Sequence, residues 1–160
     1  MKKYIASLFV SFILVQGLVY AHCQVPCGIY DDAARIVQLR EDFATIQKAM
    51  NQIAILNQKN DAQSLNQATR WIMTKETHAN NIQNSVSSYF LTQRIKIKSG
   101  KEFDSYASLT TSLHQILVSA MKCKQTVDVQ HVQKGLDRIN AFIELYFDDH
   151  GKKHLMEMDH

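Results

Sequence analysis

Four stretches of this chain carry apolar residues at alternating three- and four-residue spacing, and that period is the strongest constraint on its fold. Such spacing places the apolar side chains on one stripe of a helix and leaves the rest to solvent. The first stripe is Ile36, Leu39, Phe43, Ile46, Met50 and Ile53; the second is Leu65, Ala68, Ile72, Ala79, Ile82, Val86 and Tyr89. The third is Tyr106, Leu109, Leu113, Ile116, Ala120 and Cys123, and the fourth is Val129, Val132, Leu136, Ile139, Ile143 and Tyr146. Pro26 is the only proline and there are five glycines, so the chain lacks the turn residues that many short strands require. The spacing predicts helices over about 32–56 and 61–96, with Asp31 or Asp32 capping the first, and two more after a turn at Ser99-Gly100. Short polar links favour antiparallel neighbours, so the expected fold is all-α, an up-down-up-down four-helix bundle over residues 31–147. At 160 residues, one domain is expected, with residues 148–160 a polar tail that frays.

The start of the chain belongs to a different category. Met1-Lys2-Lys3 is a positive n-region, the run from Ile5 to Val15 is almost wholly apolar, and Val19-Tyr20-Ala21 places small residues at both cleavage-determining positions. Residues 1–21 therefore read as a secretory signal peptide; the apolar run is shorter than the roughly 20 residues a membrane span needs. Cleavage would leave His22 as the N-terminus of an exported protein with no stable membrane association. Losing Lys2 and Lys3 takes the formal charge from +3 to +1, and no basic run with interleaved aromatics suggests a nucleic-acid partner.

Outside the stripes, chemistry concentrates in residues 22–30, His22-Cys23-Gln24-Val25-Pro26-Cys27-Gly28-Ile29-Tyr30. An N-terminal His offers an amine and an imidazole, and Cys23 adds an amide nitrogen and a thiolate. Amine, amidate and the Cys23 sulfur can occupy three corners of a square, with Cys27 supplying the fourth after a turn at Pro26. A tetragonal N/S set suits Ni(II) or Cu(II) better than tetrahedral zinc. The alternatives are a structural disulfide between Cys23 and Cys27, which would close a very small loop and stabilise little, or zinc or copper on the same donors.

The run His-Cys-x-x-Pro-Cys-Gly-x-Tyr at a mature N-terminus resembles the nickel hook of the nickel-containing superoxide dismutases. That resemblance implies one nickel ion per subunit, with His22, Cys23 and Cys27 as ligands and His22 adding its imidazole in the oxidised state. It further implies superoxide as substrate, leaving as dioxygen in one half-reaction and as hydrogen peroxide in the other, with Tyr30 lining the pocket over the metal. It also implies a homo-oligomer, commonly a hexamer. A non-enzymatic exported carrier of nickel or copper is the rival, though a carrier has no need of the shaped pocket that Pro26, Gly28 and Tyr30 suggest.

Members of that family orient the metal-bound histidine with a glutamate and an arginine. Here the matching part of the first helix reads Arg35-Ile36-Val37-Gln38 with no acid until Glu41, so Glu76 and His78 are the expected partners, with Arg70 a further option. Tyr89-Phe90 resembles the family's Tyr-Phe pair, which makes Tyr89 a second aromatic for the site or a core residue. Cys123 reads as core, and Lys75, which interrupts the second stripe, as a side chain snorkelling from the edge or a partly buried charge near the hook. Lys96, Lys98 and Lys101 are candidates for steering an anion. His150, His154 and His160 read as incidental.

Overall fold

The computed structural model of the protein describes residues 31–158, so the expected leader and hook, including His22, Cys23, Cys27 and Tyr30, lie outside the described residues, as does His160. Among the described residues every regular element is helical: α1 Asp32–Leu56, α2 Ala62–Asn84 continuing directly into a π-helical run Ser85–Arg94, a 3-10 turn Gly100–Glu102, α3 Phe103–Gln125, α4 Gln130–Tyr146 and α5 Asp149–Met158. None of these helices is long and apolar enough to cross a membrane. The helix starts follow the capping chemistry expected of short acidic side chains. Asp31 Oδ1 accepts from the Ala33 amide at 2.7 Å, and Asp61 Oδ1 accepts from the Ser64 amide at 2.9 Å. The Ser99-Gly100 turn forms as expected, with Gly100 at φ 60, a conformation that costs a glycine little.

The four long helices close a ring of neighbours, α1 on α2, α2 on α3, α3 on α4 and α4 on α1. Inside it Phe43, Phe90, Phe142, Ile82, Leu113 and Ile139 are fully buried. Phe90 and Phe142 meet edge to face with centroids 5.3 Å apart, a favoured aromatic geometry. Helices α1 and α4 approach so closely at Gly135 that an added Cβ would lie 2.3 Å from Phe43 Cζ, and only glycine fits.

Three expectations are corrected. The first half of the second stripe is not buried: Leu65 is 70 % exposed and Ile72 44 %. The reason is where α3 stops. Lys75 Nζ donates to the Cys123 and Lys124 carbonyls at 2.8 and 2.6 Å, so α3 ends level with Lys75. The preceding turns of α2, roughly 20 Å of helix, pack on α1 alone. Lys75 itself neither snorkels nor approaches the hook end; it is buried, 4 % exposed, and caps α3, whose last carbonyls have no intrahelical donor. Nor does the tail fray. Asp148 accepts from the Gly151 amide at 2.8 Å and starts α5, which lays Leu155 into the core against α1.

Candidate functional site

The chain leaves the hook and enters α1 at Asp31 and Asp32, where the structure gathers most of its polar side-chain contacts. Asp32 accepts from the Tyr89 hydroxyl, from the Tyr146 hydroxyl at 2.7 Å, and from Arg94 Nη2 and Nε at 2.6 and 3.1 Å. Three elements thus converge on one carboxylate: the π-helical run, the end of α4, and α1 itself. The π-helix makes this possible. In an α-helix, residues five apart point about 140° away from each other at roughly 100° per residue, so Tyr89 and Arg94 would diverge. The wider i→i+5 turn, visible in the Ile95 amide donating to the Phe90 carbonyl at 2.9 Å, brings both to the same face. The Arg35 guanidinium lies 5.5 Å from the centre of the Tyr89 ring, on the ring's other contacts.

Electrostatics follow from this geometry. Burial, and then the bond to Asp32, push the Tyr146 phenol up to about 12 and the Tyr89 phenol higher still, so both stay protonated as donors. Arg94 is raised by the same carboxylate. Next to it Asp31 Oδ2 meets His154 Nε2 at 2.5 Å, which lowers the acid and raises the imidazole. A tail histidine read as incidental therefore ties α5 to the root of the hook.

A second polar region begins beside Tyr89. A cleft of about 490 Å³ runs between α1 and the second helical run, with Arg35, Gln38, Asp42, Asn81, Ser85 and Tyr89 among its lining residues. Asp42 is 1 % exposed and accepts from His78 Nδ1 at 2.6 Å through Oδ1. Its Oδ2 and the Ser85 Oγ are buried with no hydrogen-bond partner.

The structure separates the expected partners Glu76 and His78. Glu76 pairs with Lys75 at 2.9 Å, as part of the α3 cap, while His78 turns to Asp42. Arg70 is exposed on the part of α2 that projects beyond α3. Lys96, Lys98 and Lys101 line one groove of about 350 Å³ together with Arg94 and Tyr146. In it Lys98 pairs with Glu102 at 3.2 Å and Lys96 donates to the Gln93 carbonyl. Cys123 is core, as expected, with burial pushing its thiol up to about 11. Among the described residues no group of three or more His, Cys, Asp or Glu side chains is arranged to hold a metal.

A family model described as nickel-containing superoxide dismutase matches residues 18–150. The chain belongs to this family. It is an oxidoreductase that acts on superoxide with nickel as its cofactor, and the match spans both the hook sequence and the ring of helices. No curated protein and no solved structure matches it. The superoxide dismutase keeps the two polar regions just described at the end of the fold where its hook begins. Sequence reasoning missed Asp32, Arg94, Tyr146, His154 and Asp42. Periodicity placed Tyr146 in a stripe and gave no sign that a π-helix would turn Arg94 toward Asp32.

Proposed function

We propose that this nickel-containing superoxide dismutase is exported, that its leader is removed after Ala21, and that it holds one nickel ion per subunit at His22, Cys23 and Cys27. The observation that carries this reading is the state of the cysteines. Of three thiols, Cys123 is sealed in the core and held protonated well above neutral pH, which leaves Cys23 and Cys27 as the thiolate donors beside an N-terminal histidine. The donor chemistry fits the ion, since two thiolates, an amine and an amidate form the tetragonal set that nickel favours. When bound, nickel supplies the one-electron couple that takes an electron from one superoxide and returns it to the next.

The protein's own residues then have distinct tasks. The His22 amine must be free, which requires processing. Tyr30 lines the pocket over the metal and orders the anion there. Asp32, two residues on, is anchored by Tyr89, Tyr146 and Arg94 and so fixes the point from which the hook departs. Lys96, Lys98 and Lys101 give the neighbouring groove a positive rim that favours approach of an anion. The ring of helices is read as an up-down-up-down four-helix bundle, supported by its short links and cyclic packing. Exposed Leu65, Ile72 and Met73 on the projecting part of α2 support self-association, with a hexamer as the expected assembly.

The test is to purify the processed protein, identify its first residue and its metal, and assay superoxide removal. Nickel and activity are expected in protein beginning at His22. Cys23→Ser, Cys27→Ser, or one extra residue before His22 should abolish activity at unchanged helicity. Full activity with the extra residue would refute the role given to the amine.

A further inference from the structure

The cleft between α1 and the second helical run holds two buried polar atoms without partners, Asp42 Oδ2 and Ser85 Oγ. Buried polar groups are almost always hydrogen-bonded, and an unpaired carboxylate oxygen is the costlier kind to leave so. Asp42 is also held in place, since His78 occupies Oδ1 and leaves Oδ2 as the acceptor on offer. A site built this way suits an N–H donor.

The position of the cleft says which donor. Its upper wall is Arg35 and Tyr89, and Tyr89 bonds Asp32, where the hook joins α1. From Asp32 to Asp42 the helix rises about 15 Å. The nine residues 22–30 span up to about 30 Å when extended, so a hook folded back along α1 brings His22 within range. Glu41 is exposed, which makes Asp42 the first buried acid of α1 beyond the hook. A metal-bound imidazole characteristically donates its second ring N–H to a carboxylate, which fixes the ring.

We infer that Asp42, oriented by His78, is the positioning residue that accepts the free ring N–H of His22 and holds the imidazole toward the metal. The inference rests on the hook reading above. It departs from the expectation that Glu76 does this work, because Glu76 is spent on Lys75.

The experiment compares nickel-loaded, processed wild type with Asp42→Asn. It reads nickel loss to a chelator, the nitrogen splitting in the electron paramagnetic resonance spectrum of the oxidised protein, and the thermal midpoint of the metal-free form. Asp42→Asn should load nickel, lose it about tenfold to a hundredfold faster, and show an altered axial-nitrogen splitting. In a His22→Gln background the same change should add nothing to the loss rate. Wild-type splitting and loss rate in Asp42→Asn would overturn the inference, as would an equal acceleration in the His22→Gln background, which would mark Asp42 as merely structural or water-bonded. Should Asp42→Asn fail to fold, Asp42→Glu keeps the charge and changes the reach, and an unchanged spectrum there overturns the inference equally. Wild type that begins at His22 and binds no nickel would instead defeat the hook reading, and the inference with it.

Discussion

Two charged groups are withdrawn from solvent in this fold, Lys75 where α3 ends and Asp32 where the hook begins, and they are stabilised in opposite ways. Lys75 donates to backbone carbonyls of α3, and those acceptors are a by-product of ending a helix. Asp32 accepts from three side chains, Tyr89, Tyr146 and Arg94, each of which could be another residue without altering the backbone's needs. A backbone partner is supplied by any sequence that ends α3 there. A set of side-chain partners must be assembled, here with a π-helix to align two of them. The contrast teaches that the Lys75 end serves stability and the Asp32 end serves the geometry of the hook.

The sharpest way to break that contrast is Asp32→Ala. It strands two phenols and a guanidinium and frees the start of α1. Stability should fall by about 2–3 kcal/mol, since buried donors left without acceptors cost about that much. Nickel retention should suffer as well, because the chain leaving Tyr30 loses its anchor. Thermal unfolding with and without metal, together with a chelator assay, separates the two effects. Equal losses in both forms with unchanged nickel release would make the Asp32 end as purely structural as the other.

Lys75→Met is the matched change at the far end. Met keeps most of the buried stem and removes the charge, leaving the Cys123 and Lys124 carbonyls uncapped. A loss of about 1–2 kcal/mol is expected, the net of a lost charged hydrogen bond and a removed desolvation penalty. Superoxide removal per bound nickel should not change. A fall in turnover at full nickel loading would show that the capped end communicates with the hook.

The two ends also differ in how far they could be read from sequence. The stripes through Phe43, Leu113 and Ile139 were legible because burial on one helical face needs only periodicity. The same logic misplaced Leu65 and Ile72, since a stripe says which face is apolar and not how far the neighbouring helix extends to cover it. The hook was legible because its chemistry is local, nine consecutive residues. The Asp32 cluster was not, because Tyr89, Arg94 and Tyr146 lie 57 to 114 positions away in sequence and meet only after the π-helix changes the register. Asp148 and Leu155 carried a capping and a burial signal for α5, but ten residues at a chain end are too few for a period to stand out.

The smallest expected effect is a pH dependence confined to the Asp32 end. His154 and Asp31 are mutually stabilising, the imidazole raised first by its hydrogen bond to Asp31 and further by charge from Asp31 and Glu157, the acid lowered first by its bond to His154. A raised His contributes fully below its unfolded value of 6.5 and loses that contribution as pH climbs through its folded value. A lowered Asp contributes above 3.8 and loses it as pH falls through its folded value. Docking of α5 should therefore be tightest between these limits and loosen on the alkaline side, which the Leu155 methyl resonances would report, while Leu113 in the ring core stays still. Both partners are substantially exposed, so screening keeps the effect small, and added salt should shrink it further. His154→Gln should flatten the alkaline limb. If Leu155 in the wild type is indifferent to pH between 6 and 9, α5 is held by its apolar face alone and the His154 contact does nothing for the hook's root.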